Sequence, residues 1–147
     1  LGTGVATVTL VAMNKADFEY LAEFRHQLRR FLRFSEDAVQ AEGLTPQQYQ
    51  LLLQIKGFPG RSWATIGELA ERLQAKHHGT VALVSRCESA GLVRRETDPD
   101  DKRQVRVHLT DAGERRLMRL ARMHRDELES LASVFRVKRI AAFNDRE

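Results

Sequence analysis

The sequence predicts a mainly α chain (α+β), with long helices at both ends flanking a compact middle that carries one small β-ribbon. Three observations lead there. Helix-start signals recur along the chain, at Thr45-Pro46-Gln47-Gln48, Thr65-Ile66-Gly67-Glu68 and Asp111-Ala112-Gly113-Glu114, each a side-chain acceptor followed three residues later by Gln or Glu. The stretch Gln104–Leu109 alternates strictly: Val105, Val107 and Leu109 on one side, Gln104, Arg106 and His108 on the other, the period of a strand with one buried face. Leu92–Thr97 can pair with it across Asp98-Pro99-Asp100-Asp101-Lys102-Arg103, where Asp98 and Pro99 favour a turn.

Asn14–Gln40 reads as a long first helix. Phe18, Leu21, Leu28, Ser35 and Val39 fall near heptad spacing, and Phe24, Phe31 and Phe34 widen the stripe. A helix of that length exceeds the globular mean and calls for more than its own small core. Glu42-Gly43 breaks it. Thr45 caps a second helix with Pro46 at its first position; Tyr49, Leu52, Leu53 and Ile55 form its apolar side, and Gly57 with Pro59 ends it. Arg61-Ser62-Trp63-Ala64 is a short extended piece able to add a third strand to the ribbon, with Trp63 as a core or sheet residue. Thr65 opens a short helix with Ile66, Leu69, Ala70 and Leu73 inward. After Gln74-Ala75-Lys76 a fourth helix runs from His77 to Ala90, with Val81, Val84 and Cys87, helped by Leu83, on its inner side and Gly91 as a left-handed stop. Two short helices joined by a few residues are a helix-turn-helix; the hairpin that follows makes it winged. After the hairpin, Asp111 or Thr110 caps a long helix to about Val134, with Leu117, Leu120, Ala121, His124, Leu128, Leu131 and Phe135 along one side. Arg136–Glu147, with an apolar patch at Ile140–Phe143, is a final short helix or a frayed end.

At 147 residues a single domain, 1–147, is expected, with chain enough for a real core. Leu1–Met13 is mildly apolar but lacks a basic n-region, so it reads as an upstream arm rather than a secretory signal. One cysteine excludes an internal disulfide framework, and with no apolar run near ~20 residues the expected location is cytoplasmic, away from membranes. A net charge of +4 permits an anionic partner, so the position of the cations matters.

Four blocks, LTPQQYQLLLQI, TIGELAERL, HHGTVALVSRCESAGLVRR and DPDDKRQVRVHLTDAG, stand in an order and spacing that resembles the MarR family of transcriptional regulators over about residues 44–113. Asp-x-Arg before a strand ending Leu-Thr, soon after Gly-Leu-Val, is the most specific part. The resemblance implies a homodimer on a pseudo-palindromic operator in double-stranded DNA, most often as a repressor. It implies a winged DNA-binding region at 44–110, and dimerisation helices at 14–41 and 111–147 that interlock. The family's wing tip often has two adjacent arginines; here the first is Lys102.

The residues themselves supply a matching surface. A recognition helix enters the major groove by its N-terminus and needs short or polar side chains there; this one begins Lys76-His77-His78-Gly79-Thr80. Gly79 allows close backbone approach, and Lys76 and Thr80 can reach phosphates or base edges. Ala82 and Val81 can meet a thymine methyl, unless Val81 is core. Arg103 at the wing tip suits a narrow minor groove, with Lys102 beside it. Asp101 pairs with Arg103 or Arg86 to shape the wing, as the resemblance implies, or is only a turn former. Of Arg94 and Arg95, one is expected on phosphate and the other in solvent. Arg86 is expected at a phosphate or in a structural pair, and Thr65 brings its helix N-terminus to the backbone.

Other chemistry is poorly supported. His77-His78 do not face together on a helix and have no matched ligands, so no metal or cofactor is expected. Cys87 reads as a buried small hydrophobe rather than a redox sensor. Ser85, Ser89 and His108 make no nucleophile–base arrangement, so no enzyme activity is expected. The competing class is a winged helix that binds protein instead of DNA. The family often holds a small aromatic acid between its DNA lobe and dimer helices; the resemblance makes Arg25, His26, Arg29, Phe31 and Tyr49 candidate liners, the alternative being that they are only surface and core residues.

Overall fold

The structure, a computed structural model, describes residues 12–130. It contains α1 (Lys15–Ala41), α2 (Pro46–Lys56), β1 (Trp63–Thr65), α3 (Ile66–Leu73), α4 (His77–Ser89), β2 (Val93–Thr97), β3 (Val105–Leu109) and α5 (Asp111–Ser130). The expectations for most of the N-terminal arm, and for Leu131, Phe135 and Ile140–Phe143, lie outside the described residues. The three strands form one antiparallel sheet in the order β1-β3-β2, so the short piece at Trp63 does join the hairpin.

Local chemistry fixes the helix ends. Asn14 and Asp17 form a reciprocal capping box on α1, and Thr45 and Gln48 form one on α2 with Pro46 at its start. The box expected at Thr65 is half made. Thr65 accepts from the Glu68 N–H, but the Glu68 carboxylate takes the Thr65 hydroxyl and the Arg61 guanidinium instead of returning to the backbone. Thr110 caps α5: its hydroxyl accepts from the Gly113 N–H and donates to the Gly91 carbonyl. Gly91 ends α4 with φ +75°; its N–H donates to Glu88 and that of Leu92 to Cys87, the paired bonds of a Schellman stop. In the turn before α4 the left-handed residue is Gln74, at φ 51°, whose side-chain amide donates to the Glu71 carbonyl.

The core sits in the middle of the chain. Leu51, Leu52, Ile55, Leu69, Val84, Cys87, Val107 and Leu120 are fully buried. On α2, Leu51 takes the place expected of Leu53, which is half-buried, because α2 is packed by α1, α3, α4 and α5 and by the sheet rather than on one side. On α4 the inner row is Thr80, Leu83, Val84 and Cys87, with Val81 half-buried. Steps of three from Val81 drift off a 3.6-residue helix, whereas 80, 84 and 87 stay on one stripe. Thr80 tolerates burial because its hydroxyl donates to the Lys76 carbonyl at 3.0 Å. Gly113 lies against the Leu92 carbonyl so closely that a Cβ there would stand 2.0 Å from its oxygen, which ties the start of α5 to the entrance of the hairpin.

Candidate nucleic-acid interface

The N-termini of α3 and α4 and the wing surround one cleft of about 430 Å³, lined among others by Thr65, His77, Val81, Arg95, Arg103 and Val105. Two helix starts direct backbone N–H groups to this side. That of α3 is capped by Thr65, while Lys76 leads α4 without a side-chain cap. The first N–H groups of α4 are therefore left for an outside acceptor, and with the helix dipole they favour an anion. Lys76, His77, His78 and Gly79 are exposed there, as are Ala82 and Arg86 further along. Open space surrounds the position of a Gly79 Cβ.

Two carboxylates build the wing tip. Asp98 accepts from the backbone N–H of Asp100 at 2.9 Å and pairs with the Arg106 guanidinium at 3.3 Å. The Asp100 N–H, and then Arg106, hold its carboxyl below the usual range. Asp101 accepts from Arg103 Nε at 3.0 Å, Nη2 at 3.3 Å and the backbone N–H at 3.1 Å. The Arg103 contacts lower its carboxyl too. Of the two partners open to Asp101, the structure selects Arg103, whose side chain remains 91% exposed. The cation is held by its inner edge and projects from the tip. Lys102 is exposed beside it.

Two expectations need correction. Thr80 is 1% exposed, so its hydroxyl serves the helix start and is not presented at the surface. Neither Arg94 nor Arg95 has the simple split expected of them. Arg94 pairs with Glu96 at 3.4 Å on the outer face. Arg95 turns inward and binds α4: its guanidinium donates to the Val81 carbonyl and to the Ser85 hydroxyl.

Sequence reasoning missed a layer on the back of the sheet. Trp63 is opposite His108, and Thr65 opposite Arg106. The guanidiniums of Arg61 and Arg106 lie 3.9 and 4.2 Å from the Trp63 ring centre. The alternation placed Arg106 on the outer face, but its stacking follows only once β1 is known to pair beside it.

The suggested effector liners divide. Phe31 and Tyr49 meet around His124, a buried residue of α5. Its ring stacks on Tyr49 at 4.6 Å and meets the edge or face of Phe31 at 6.0 Å. Its nitrogens lie 2.7 Å from the Ser35 hydroxyl and 2.6 Å from the Leu120 carbonyl. Tyr49 is 3% exposed, and burial pushes its hydroxyl pKa up. Arg25, His26 and Arg29 are exposed on α1, so the cation-beside-aromatic pocket is not assembled. Cys87 is wholly buried, and burial pushes its thiol up to about 11, with Arg86 acting the other way. Among the described residues no cluster of three His, Cys, Asp or Glu could hold a metal ion, and no helix is long and apolar enough to cross a membrane.

Comparison with known proteins agrees with this geometry. Residues 42–104 match the MarR family. A putative transcriptional regulatory protein for the hcr operon of Thauera aromatica is 32% identical over 96 residues, 65% of this chain. That alignment spans 56% of the Thauera protein, little more than half its length. The structure of a MarR family protein from Bacillus stearothermophilus superposes with a TM-score of 0.69 at 27% identity, over 90% of this chain and 91% of that one. A mutant of S. aureus MepR, solved bound to an oligodeoxyribonucleotide, gives a TM-score of 0.64 at 18% identity, over 86% and 90%. The last likeness is one of fold.

Proposed function

The winged lobe of this chain is of the MarR family, and from that premise we propose that the protein binds duplex DNA in a sequence-specific way, as a homodimer that represses transcription. One observation carries the reading: the uncapped start of α4 and the Asp101-held Arg103 flank the same cleft. In this reading α4 enters a major groove by Lys76, His77, His78 and Gly79. The wing delivers Arg103, with Lys102, to the neighbouring minor groove. The strand backbone between the grooves passes over the cleft, within reach of the Thr65-capped start of α3 and of Arg86. MepR, with its bound oligonucleotide, supports the mode by analogy of fold.

The dimer part of the proposal assigns 44–110 to DNA and 14–41 with 111–147 to self-association. Its support is the apolar surface on the end helices. Phe18 and Leu21 on α1 are 56% and 54% exposed, and Met118 and Leu128 on α5 are 48% and 45% exposed. A two-fold dimer places two recognition helices about one duplex turn, ~34 Å, apart. The effector part keeps only Phe31 and Tyr49 of the suggested liners, which meet around His124 at the junction of α1, α2 and α5 without the exposed Arg25, His26 and Arg29. A small aromatic acid that favours a mis-spaced dimer lowers DNA affinity by linkage.

Selection of bound duplexes from a random pool tests the function. The expected product is an inverted repeat whose affinity falls steeply with salt. Arg103→Ala is expected to weaken binding to it more than about ten-fold, a loss within the range of a key base or groove contact, with helical content and dimerisation unchanged. Recovery of no common sequence, or affinity flat with salt, overturns the reading in favour of a protein-binding winged helix. Salicylate at millimolar concentration tests the effector part; unchanged binding to the selected duplex removes it.

A further inference from the structure

We propose that Arg95 is a positioning residue: it clamps the wing to the recognition helix and so sets where Arg103 stands relative to the start of α4. This rests on the DNA-binding reading above and deepens it.

The wing needs such a clamp. The strand β1 covers only the Arg106–His108 part of β3. Beyond that the hairpin is two-stranded, and an isolated two-stranded ribbon is marginal in water. The strand β2 is also a sheet edge, with outward N–H groups left for another partner. Among the described residues every hydrogen bond between β2 and α4 runs through Arg95. Its backbone N–H donates to the Glu88 carboxylate at 3.0 Å. Its guanidinium donates to the Val81 carbonyl at 3.2 Å and to the Ser85 hydroxyl. Ser85 in turn donates to the same Val81 carbonyl at 3.0 Å. Val81, Ser85 and Glu88 are spaced four and three residues apart, so they form one stripe along α4. Arg95 thus lays the middle of β2 along that stripe. Towards the tip the contact ends and the cleft opens between His77 and Val81 on one side and Arg103 and Val105 on the other. The angle set at Arg95 is carried to Arg103 by the rest of the ribbon.

A phosphate contact by Arg95 is the competing role, and the two make different demands. Both bonds leave one guanidinium nitrogen, Nη2, which stands one bond further from the backbone than a lysine ammonium, so lysine falls short of the two fixed acceptors; a phosphate accepts either cation. A lost phosphate contact also lowers the salt slope, by about 0.9 per contact. A lost clamp removes the cationic contact of the residue it positions and so lowers the slope as well; what separates the two roles is that a further loss at Arg103 then costs little.

The experiment uses the full chain and a duplex that it selects from a random pool. Arg103→Ala is measured alone and in the Arg95→Ala background, with Arg95→Lys and Ser85→Ala as companions. Amide hydrogen exchange is followed in the free proteins. The expected result is that Arg103→Ala costs more than about ten-fold alone but under about two-fold once Arg95 is alanine, a coupling of the size seen for residues acting together. Arg95→Lys behaves like Arg95→Ala, and the amides of Glu96, Thr97 and Val105 exchange faster. Additive losses or rescue by lysine overturn the clamp. If the wild-type chain selects no duplex, the DNA reading has failed by itself. Exchange then judges the clamp, and unchanged amides in β2 and β3 of Arg95→Ala overturn it.

Discussion

Leu51, Leu52 and Ile55 of α2 are wholly buried, whereas Phe18, Tyr20 and Leu21 of α1 are each more than half exposed. The residue types are alike and the helices are neighbours in sequence. The difference lies in what surrounds them. The second helix is enclosed by four other helices and the sheet, and its side chains lose water within one chain. Only Gln27, Ala38 and Val39 are buried along the 27 residues of α1. Its first half lies outside that enclosure. Fully covering a Phe or Leu is worth roughly 1.5–3 kcal/mol, so the exposed stripe is a large unused driving force. The second helix thus completes its burial within one chain, whereas the exposed side chains of α1 are what the proposed dimer would cover.

The largest expected effect sharpens this contrast. Leu52→Ala removes a wholly buried side chain and is expected to destabilise the lobe by about 2–5 kcal/mol, at any protein concentration, as read by urea unfolding. Leu21→Ala has little to lose in a single chain. Its expected effect is a shift from dimer to monomer by analytical ultracentrifugation, with a melting temperature that changes only where concentration changes the dimer fraction. A concentration-independent loss from Leu21→Ala as large as that from Leu52→Ala would break the comparison.

Next comes the seam between the lobe and the end helix. At Gly113 a methyl group would strike the Leu92 backbone oxygen, and backbone cannot step aside as a side chain can. Gly113→Ala is expected to cost about 3 kcal/mol, the upper part of the usual range for overpacking, and to loosen α5 from the hairpin. Gly67, also near a helix start but facing open space, serves as the control. There alanine is expected to be neutral or to stabilise by up to about 1 kcal/mol. Equal melting temperatures for the two variants would show that the seam yields.

Much of the lobe was legible in the sequence because its signals are local. Thr45-Pro46-Gln47-Gln48 specifies a helix start by its own hydrogen bonds, Gly91 a stop, and the alternation of Gln104–Leu109 a strand. What was illegible depends on partners far away in sequence. Arg95 reads as a wing cation until β2 is seen lying along α4, where a carbonyl and a hydroxyl occupy it. Thr80 reads as a polar surface residue because its burial is permitted by a hydrogen bond that only the helix creates. The stacking of Arg61 and Arg106 near Trp63 requires the register of β1 against β3. Of the site, the tip was the most legible part, since Asp101 and Arg103 are two residues apart. The effector liners were the least legible: His124, which holds Phe31 and Tyr49 together, comes from a helix far along the chain.

The wing tip differs from the lobe in being ordered by charge and hydrogen bonds rather than by apolar burial, which makes it responsive to pH. The Asp98 carboxyl is lowered in the folded chain. Its contribution is therefore complete above the unfolded value, about 3.9, and is lost as pH falls through the lower folded value. In a carbon-13 titration Asp98 is expected to have its midpoint below that of a free aspartate, with the Asp100 amide moving in step. Asp98→Asn keeps an acceptor for that amide, loses the charge facing Arg106, and should abolish the step. A midpoint at or above about 4 would mean that the tip is not held by the ionised carboxylate.

The smallest expected effect concerns Cys87, where the lobe's enclosure should silence a reactive group. The thiol is wholly buried, with its pKa at about 11, so near neutral pH almost none of it is thiolate, the form that attacks an oxidant or a disulfide. Arg86 is the neighbouring cation acting the other way, and burial outweighs it. Native protein treated with Ellman's reagent at pH 8 is expected to react only as fast as the lobe unfolds. Mild peroxide should leave affinity for the selected duplex unchanged, and Cys87→Ala should bind that duplex as the wild type does, after allowing for any loss of stability. Rapid native labelling, or a peroxide-induced loss of binding that Cys87→Ala prevents, would mean that the lobe opens at α4 without unfolding. The contrast between a closed lobe and an exposed α1 would then hold only for the average structure and not for its fluctuations.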